Sequence, residues 1–360
     1  MPGPHRYLVQ KDGRPLVVFV TYTGIGDLLM ALPLFGALRS KFQVLPLIPS
    51  LHTELARLLR EDELLEDFLP AKRSLVFYRN PLEHILACWA LSRLQPDIVA
   101  IYGKLVMAYG ARVGLLRAGR VLFCHPGGIA PRPTSTLEVV PTTGNQTRDY
   151  LQFAEKLKVP LTTNRAFLTE ASKSRLEREA RALIGYSSYA VVAPWASDPR
   201  KEAPPRFFRE CIEIIVTEGR LPVVVTGLPR NRSAGLSLLR GFSDKWVANL
   251  VGATTIPQAV GLLAGARFLL TNDGGTLHLA RLVGTPAIAA FGPTAPEQLL
   301  HDPARGIVTL RLGLSCSPCA NTPFHYRCPE AYLKCLRELE APAARDLLLA
   351  ACRSAADRVS

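Results

Sequence analysis

Asp27 closes the segment Thr23-Gly24-Ile25-Gly26-Asp27, which follows an apolar run at 16–20 and precedes a helical pattern. Gly24 and Gly26 permit a tight strand-to-helix turn and let a substrate approach the backbone. A carboxylate at that point has two uses. It can cap the orphan N–H groups of the helix's first turn, or it can take a proton from a hydroxyl held in a cleft. A second polar group, Thr271-Asn272-Asp273-Gly274-Gly275-Thr276-Leu277-His278, also stands between a strand pattern and a helix pattern. Its glycines expose N–H groups and the helix start adds partial positive charge, a combination that suits a phosphate or diphosphate. Thr276 can add a hydroxyl and His278 an imidazole; the plainer alternative is a tight turn capped by Asp273, with His278 simply buried. A third, Pro194-Trp195-Ala196-Ser197-Asp198-Pro199-Arg200-Lys201, offers the Ser197 hydroxyl and two cations suited to a leaving diphosphate. It can equally be a solvated basic loop. Thr226-Gly227 follows another strand pattern and is notable for that position.

The elements that must position these groups follow from periodicity. Short apolar runs at 16–20, 44–48, 75–78 and 97–102 read as buried parallel strands. Between them, helix spacing is expected over 28–41, 53–69 and 82–94, with a bend at Pro33, which has no N–H for the Leu29 carbonyl. Residues 103–148 carry no clear periodicity, and 146–157 is helical. After a linker at 159–169 the alternation restarts: helices at 172–184, 205–218, 231–239, 256–263 and 276–283 interleave with strands at 189–194, 222–226, 246–250, 266–271 and 287–291. Alternation of this kind implies parallel sheets covered by helices on both faces. The restart divides the chain into an N-terminal domain, 1–165, and a C-terminal domain, 166–340, with a last helix in 341–360. In open α/β sheets, ligands sit at the carboxyl ends of the strands, which is where every polar group above falls.

Composition narrows the classes. The 360 residues are 48% hydrophobic and 20% charged, which suits large cores rather than disorder. No run of 18 apolar residues reads as a membrane span and no signal core opens the chain, so a cytoplasmic protein is expected. The net charge of +13 is spread over both halves. It serves solubility, or attraction to anionic headgroups and phosphorylated ligands. No nucleic-acid-binding motif is evident, so nucleic acid is not an expected partner. Among eight cysteines, Cys88, Cys124, Cys211 and Cys352 lie isolated in apolar contexts. Cys316, Cys319, Cys328 and Cys335 cluster with a spacing compatible with structural Zn or Fe, with packed thiols, or with redox pairing.

Taken in order, the four strand-end groups resemble glycosyltransferase family 9, the ADP-heptose:lipopolysaccharide heptosyltransferases. The resemblance rests on Gly24-Ile25-Gly26-Asp27 with Leu32-Pro33, on Lys201 and Pro204, on Asn249-Leu250-Val251-Gly252, on Asp273-Gly274-Gly275-Thr276-Leu277-His278, and on Phe291-Gly292-Pro293-Thr294. Ala203 stands where the family usually has Trp, and Gly274 where it often has a hydroxyl residue. The resemblance implies an α/β, GT-B architecture of two Rossmann-like domains whose parallel sheets face an inter-domain cleft. The acceptor would bind the N-terminal domain and the nucleotide sugar the C-terminal one, and the last helix would pack back on the N-terminal domain. It further implies inverting transfer of a sugar, heptose from ADP-heptose, onto a lipopolysaccharide core or related envelope glycan at the inner membrane's anionic surface.

In that reading Asp27 is the general base. Lys201, Ser197 and the 274–276 amides stabilise the leaving diphosphate, and Asp273 and His278 hold the donor. The sequence contains no Asp-x-Asp, so no cofactor is expected for catalysis. Two other readings stay open: a catalytically silent nucleotide-sugar binding protein, and a nucleotide-sugar epimerase or hydrolase of the same fold.

Overall fold

The computed structural model describes residues 12–21, 24–71, 81–161, 166–300, 306–320, 328 and 333–353. The chain divides into two units, Met1–Arg165 and Ala166–Ser360.

The first unit has strands β1 (Leu16–Val20), β2 (Gln43–Pro49), β3 (Leu69–Ala71), β4 (Ile98–Tyr102), β5 (Arg120–Cys124) and β6 (Leu137–Val139). All pair in parallel, in the order β3-β2-β1-β4-β5-β6. Its helices are α1 (Ile25–Met30), α2 (Leu32–Leu38), α3 (Thr53–Glu61), α4 (Pro81–Ser92), α5 (Leu105–Arg112) and α6 (Gln146–Lys156). β1 and β4 are buried at every residue, as strands covered on both faces must be. On one face, Cys88 and Leu91 of α4 and Met107, Ala108 and Ala111 of α5 pack on Val18, Val99 and Val121. On the other, Phe19 meets Phe35, Tyr150 and Phe153 edge-on, with centroids 5.2, 5.5 and 5.9 Å away.

Three details differ from expectation. The helix expected over 28–41 begins at Ile25 and splits at Ala31; Pro33 then lies in the first turn of α2, where no donor is needed from it. The helix expected to reach residue 69 ends at Glu61, because Glu63 turns left-handed with φ of 59°. Residues 69–71 are instead strand, while the strand expected at 75–78 lies outside the described residues.

The second unit repeats the plan. Its strands are β7 (Ala190–Ala193), β8 (Val223–Gly227), β9 (Val247–Val251), β10 (Leu269–Asn272), β11 (Ala287–Ala290) and β12 (Ile307–Leu310). They are all parallel, in the order β12-β11-β10-β7-β8-β9, which is the first sheet's order counted from β7. The helices are α7 (Glu170–Arg181), α8 (Pro205–Thr217), α9 (Arg232–Leu238), α10 (Ile256–Ala264), α11 (Gly275–Val283), α12 (Pro296–Leu299), α13 (Lys334–Arg337) and α14 (Arg345–Arg353). Leu348 and Cys352 of α14, the described part of the expected last helix, belong to this unit's own core, beside Ile212 and Ile215 of α8. Gly284 stops α11 in the left-handed conformation, φ 79°, that glycine adopts without strain.

Both sheets have the doubly wound order in which the chain reverses direction between the first and fourth strands. The crevice at that reversal, outside the strands' carboxyl ends, is where such folds take ligands. The two crevices lie between β1 and β4 and between β7 and β10.

Candidate active site

In the second unit, strand register brings Ala193 beside Thr271, so the loops after β7 and β10 leave the sheet together. The side chains of β10 then tie them. The Thr271 hydroxyl donates to the Ala193 carbonyl at 2.9 Å, and the Asn272 amide donates to the Pro194 carbonyl at 2.7 Å. The Asn272 Oδ1 accepts from the Ala203 N–H at 2.9 Å. Asn272 thus grips both ends of the 194–203 loop.

That grip delivers Lys201. Its Nζ lies 2.7 Å from Asp273 Oδ2, and the Thr294 hydroxyl donates to the same oxygen at 2.7 Å. The Asp273 side chain is 3% exposed, while Lys201 keeps 22%. Asp273 therefore holds the ammonium at the crevice rather than capping α11, whose N-cap is Gly274. Gly275 and Thr276 open that helix, and the first N–H groups of a helix have no intrahelical acceptor. His278, in the same first turn, is buried, and its Nδ1 has no hydrogen-bond partner among the described residues. Burial, with Arg281 and Lys201 adding to it against Asp273, lowers its pKa to about 4. The imidazole is accordingly neutral at physiological pH and offers hydrogen bonds rather than charge.

The remaining expected residues divide. Ser197 is exposed in the loop ahead of Lys201. Arg200, the other cation of that loop, is paired with Asp198 at 2.8 Å. Thr226 is buried with its hydroxyl 3.4 Å from that of Thr254. Gly227 has a packing reason: a Cβ there would come within 2.6 Å of the Trp195 ring. At Gly274 the nearest atom to such a Cβ, apart from chain neighbours, is 3.7 Å away, so a side chain would fit.

In the first unit, Val20 is paired with Ile101, which sets the loop after β1 beside the start of α5. Gly24 is the N-cap of α1, Gly26 its second residue, and Asp27 its third rather than its cap. The Gly24 N–H donates to Asp27 Oδ2 at 2.9 Å, and the Gln146 Nε2 donates to Asp27 Oδ1 at 2.7 Å. Both carboxylate oxygens are thereby oriented, so capping and presentation in the crevice are one arrangement. Gln146 also donates to the Tyr150 hydroxyl at 2.5 Å, which meets the Thr21 hydroxyl at 2.8 Å. Lys104, at the N-terminus of α5, has its pKa lowered by burial, with the Asp27 carboxylate acting in the opposite direction. Thr23, the first residue of the motif, lies outside the described residues.

Gln146 and Lys104 carry no local motif that marks a reaction, whereas Thr294 ends the Phe291-Gly292-Pro293-Thr294 group. Gln146 is separated from Asp27 by 119 positions, and only the fold joins them.

The four clustered cysteines are free thiols, as are the four isolated ones, all of the latter buried. The Cys335 thiol is pushed up to about 11 by burial, with Cys319, Cys328 and Cys316 adding to the effect. Among the described residues, no group of three or more His, Cys, Asp or Glu side chains is arranged to hold a metal ion. Residues 321–327, between the second and third cysteines, lie outside them.

The model of glycosyltransferase family 9 (heptosyltransferase) matches residues 145–328, half of the chain. The chain belongs to that family. Lipopolysaccharide heptosyltransferase 2 of Salmonella typhimurium is 29% identical over 155 residues, 41% of this chain. The matched stretch spans 43% of that relative's length. Likeness of fold extends further. The structure of E. coli ADP-heptose lps heptosyltransferase II superposes with a TM-score of 0.68 at 18% identity, covering 94% of this chain and 99% of that one. E. coli heptosyltransferase WaaC, solved with ADP-2-deoxy-2-fluoro heptose, gives 0.62 at 18% identity, covering 92% and 98%. The architecture of this family 9 member is GT-B.

Proposed function

We propose that this family 9 protein is an inverting glycosyltransferase that moves heptose from ADP-heptose onto a lipopolysaccharide core or a related envelope glycan. The observation that carries the reading is the Lys201–Asp273–Thr294 assembly at the β7/β10 crevice, beside the opening turn of α11. A cation fixed by a buried carboxylate, next to helix N–H groups, is suited to a diphosphate whose charge grows as the glycosyl bond breaks. Neutral His278 adds a hydrogen bond from its orphan nitrogen. Ser197 and Thr276 supply hydroxyls, and no metal is needed to carry that charge.

In the first unit, Asp27 takes the proton of the acceptor hydroxyl. The freed oxygen attacks the anomeric carbon from the face opposite the diphosphate, the C–O bond to the diphosphate breaks, and ADP departs with that electron pair. Gln146 and the Gly24 amide fix the carboxylate so that a lone pair is aimed when the acceptor arrives. Support comes from the family, from relatives and neighbours named for ADP-heptose chemistry, and from the oriented Asp27 carboxylate.

The test is incubation with a panel of nucleotide sugars and truncated lipopolysaccharide acceptors, reading product mass, with EDTA present in one arm. Heptosylated product from ADP-heptose, undiminished by EDTA, is expected. Asp27→Asn is expected to lower turnover at least 1000-fold while leaving the Kd for ADP-heptose within about twofold. Turnover at the wild-type rate in that variant removes Asp27 as the base. Consumption of donor with no glycosylated product removes transfer altogether.

A further inference from the structure

α5 begins on a residue badly suited to a helix start. Lys104 is its N-cap, with φ −91° and ψ 72°, and makes no side-chain cap hydrogen bond. Ser, Thr, Asp and Asn suit this position because their oxygens accept from the first-turn N–H groups, and lysine carries no acceptor. Its charge also lies at the positive end of the helix dipole. The side chain is half-buried, and that burial lowers its pKa. A cation held against propensity, dipole and burial at one position calls for a compensating charge. Asp27 is the charge that acts on Lys104 in the opposite direction.

The backbone sets this placement. Val20 is paired with Ile101, so the turns after β1 and β4 emerge side by side. Gly103 makes the second turn in the left-handed conformation, φ 71°, and its N–H donates to the Cys124 carbonyl at 2.8 Å. Met107 and Ala108, fully buried, fix the helix that follows on the sheet. Lys104 is thereby delivered to the crevice where Gly24 opens α1.

The neighbouring polar groups have partners of their own. Asp149 of α6 is fully buried and accepts from the hydroxyls of Tyr102, Thr142 and Thr143 at 3.2, 2.7 and 2.8 Å, so neutral donors serve it. The Tyr150 hydroxyl accepts from Gln146 and meets Thr21. His125, just after β5, turns its Nδ1 to the Gly127 N–H at 3.0 Å. The Gly24 N–H, the Gln146 amide and the charge of Lys104 all act on Asp27 in one sense, toward the anion. A full charge outweighs two neutral donors in that set.

We propose that Lys104 is a positioning residue of the reaction: its ammonium is the counter-charge that keeps Asp27 ionised in the crevice, ready to take the acceptor's proton. The inference rests on the role given to Asp27 above. Without that charge the carboxylate binds protons more readily, so it is a stronger base that is present in its working form over a narrower range of pH. Lys104 therefore sets where in pH the protein works and leaves the top rate alone.

The carboxylate is read directly in the unliganded chain, so this arm does not depend on transfer taking place. Aspartate is labelled with carbon-13 at the carboxyl group, and the Asp27 resonance is assigned by its loss in Asp27→Asn. Its titration midpoint is expected about one to two pH units higher in Lys104→Gln than in the wild type, and unmoved in Lys104→Arg. Lys104→Asn, which supplies the cap that lysine lacks, is a second charge-free variant and should move the midpoint equally. With ADP-heptose and a truncated lipopolysaccharide acceptor, the acid limb of the kcat profile should rise by the same interval in both charge-free variants. Turnover below the limb then falls about tenfold or more, while rates above it agree with the wild type within about twofold. The KM for acceptor is expected to stay unchanged at every pH.

A midpoint that stays in place in Lys104→Gln and Lys104→Asn overturns the proposal, as does one that moves equally in Lys104→Arg. A rate lowered at every pH with the limb in place also overturns it and makes Lys104 a support of the fold. An acceptor KM raised at every pH with the limb in place makes it a contact to the acceptor instead. A midpoint that moves in a chain that transfers no sugar keeps the counter-charge and removes the function proposed above, so the two failures are distinguishable.

Discussion

Asp27 and Lys201 are each held by a partner far away in sequence, and those partners make the sharpest tests. Gln146→Leu removes one of the two donors to the Asp27 carboxylate. If the proposed mechanism holds, kcat falls about tenfold with the Kd for donor unchanged, because orientation rather than binding is lost. Gln146→Glu, which sets a second carboxylate against the first, falls further. Steady-state rates beside calorimetric donor binding separate the two effects. Asp273 is a buried acid with one cationic partner, so Lys201→Met leaves it uncompensated and is expected to cost about 3 kcal/mol of stability by urea unfolding. His278 gives a pH dependence. Its folded pKa of about 4 lies below the ordinary imidazole value of about 6.5, so the unfolded chain binds the extra proton between those values. Stability from this group is complete above about pH 6.5 and is lost as pH falls toward 4, by roughly 3 kcal/mol at most. Urea unfolding at pH 7.5 and pH 5 should show that loss in the wild type and a smaller one in His278→Gln.

At the level of elements, much was legible. The apolar runs at 16–20 and 97–102 became β1 and β4, and the second unit's alternation was readable along most of its length, because a strand buried on both faces is a continuous apolar word between turns. The region 103–148 was not. Its elements, α5, β5 and β6, are short, and Leu137–Val139 is too brief to show a period. β12 escaped for a related reason, being four residues at a sheet edge. Of the site, the residues following strands were readable, while the pairings among them were not. Lys201 with Asp273 and Gln146 with Asp27 join distant segments, and no local pattern encodes a distance across a fold. The sequence does not show which glycines are sterically required. Gly227 seats the Trp195 ring, so Gly227→Ala should lower stability by about 1–3 kcal/mol, whereas Gly274→Ser, with room for its side chain, should cost under 1 kcal/mol. Thermal melts of the pair decide it.

At the scale of the whole molecule, the two units share one strand order and each carries its polar device at the same topological position. If donor binding belongs to the second unit, ADP should slow amide exchange at residues 194–204 and 272–280 and leave 98–124 at the rate of the unliganded chain, as hydrogen–deuterium exchange by mass spectrometry would read. The core residues around Val18 and Val99 all come from the first 165 positions, and those around Ile212 and Leu270 all come from the rest. Each of these two clusters is filled from one side of that boundary alone. A repacking within the front cluster therefore needs no compensating change among the side chains of the rear one. If acceptor and nucleotide are divided between the units as proposed, lineages of this fold are free to drift toward new sugar recipients in one half while the other stays under its own selection.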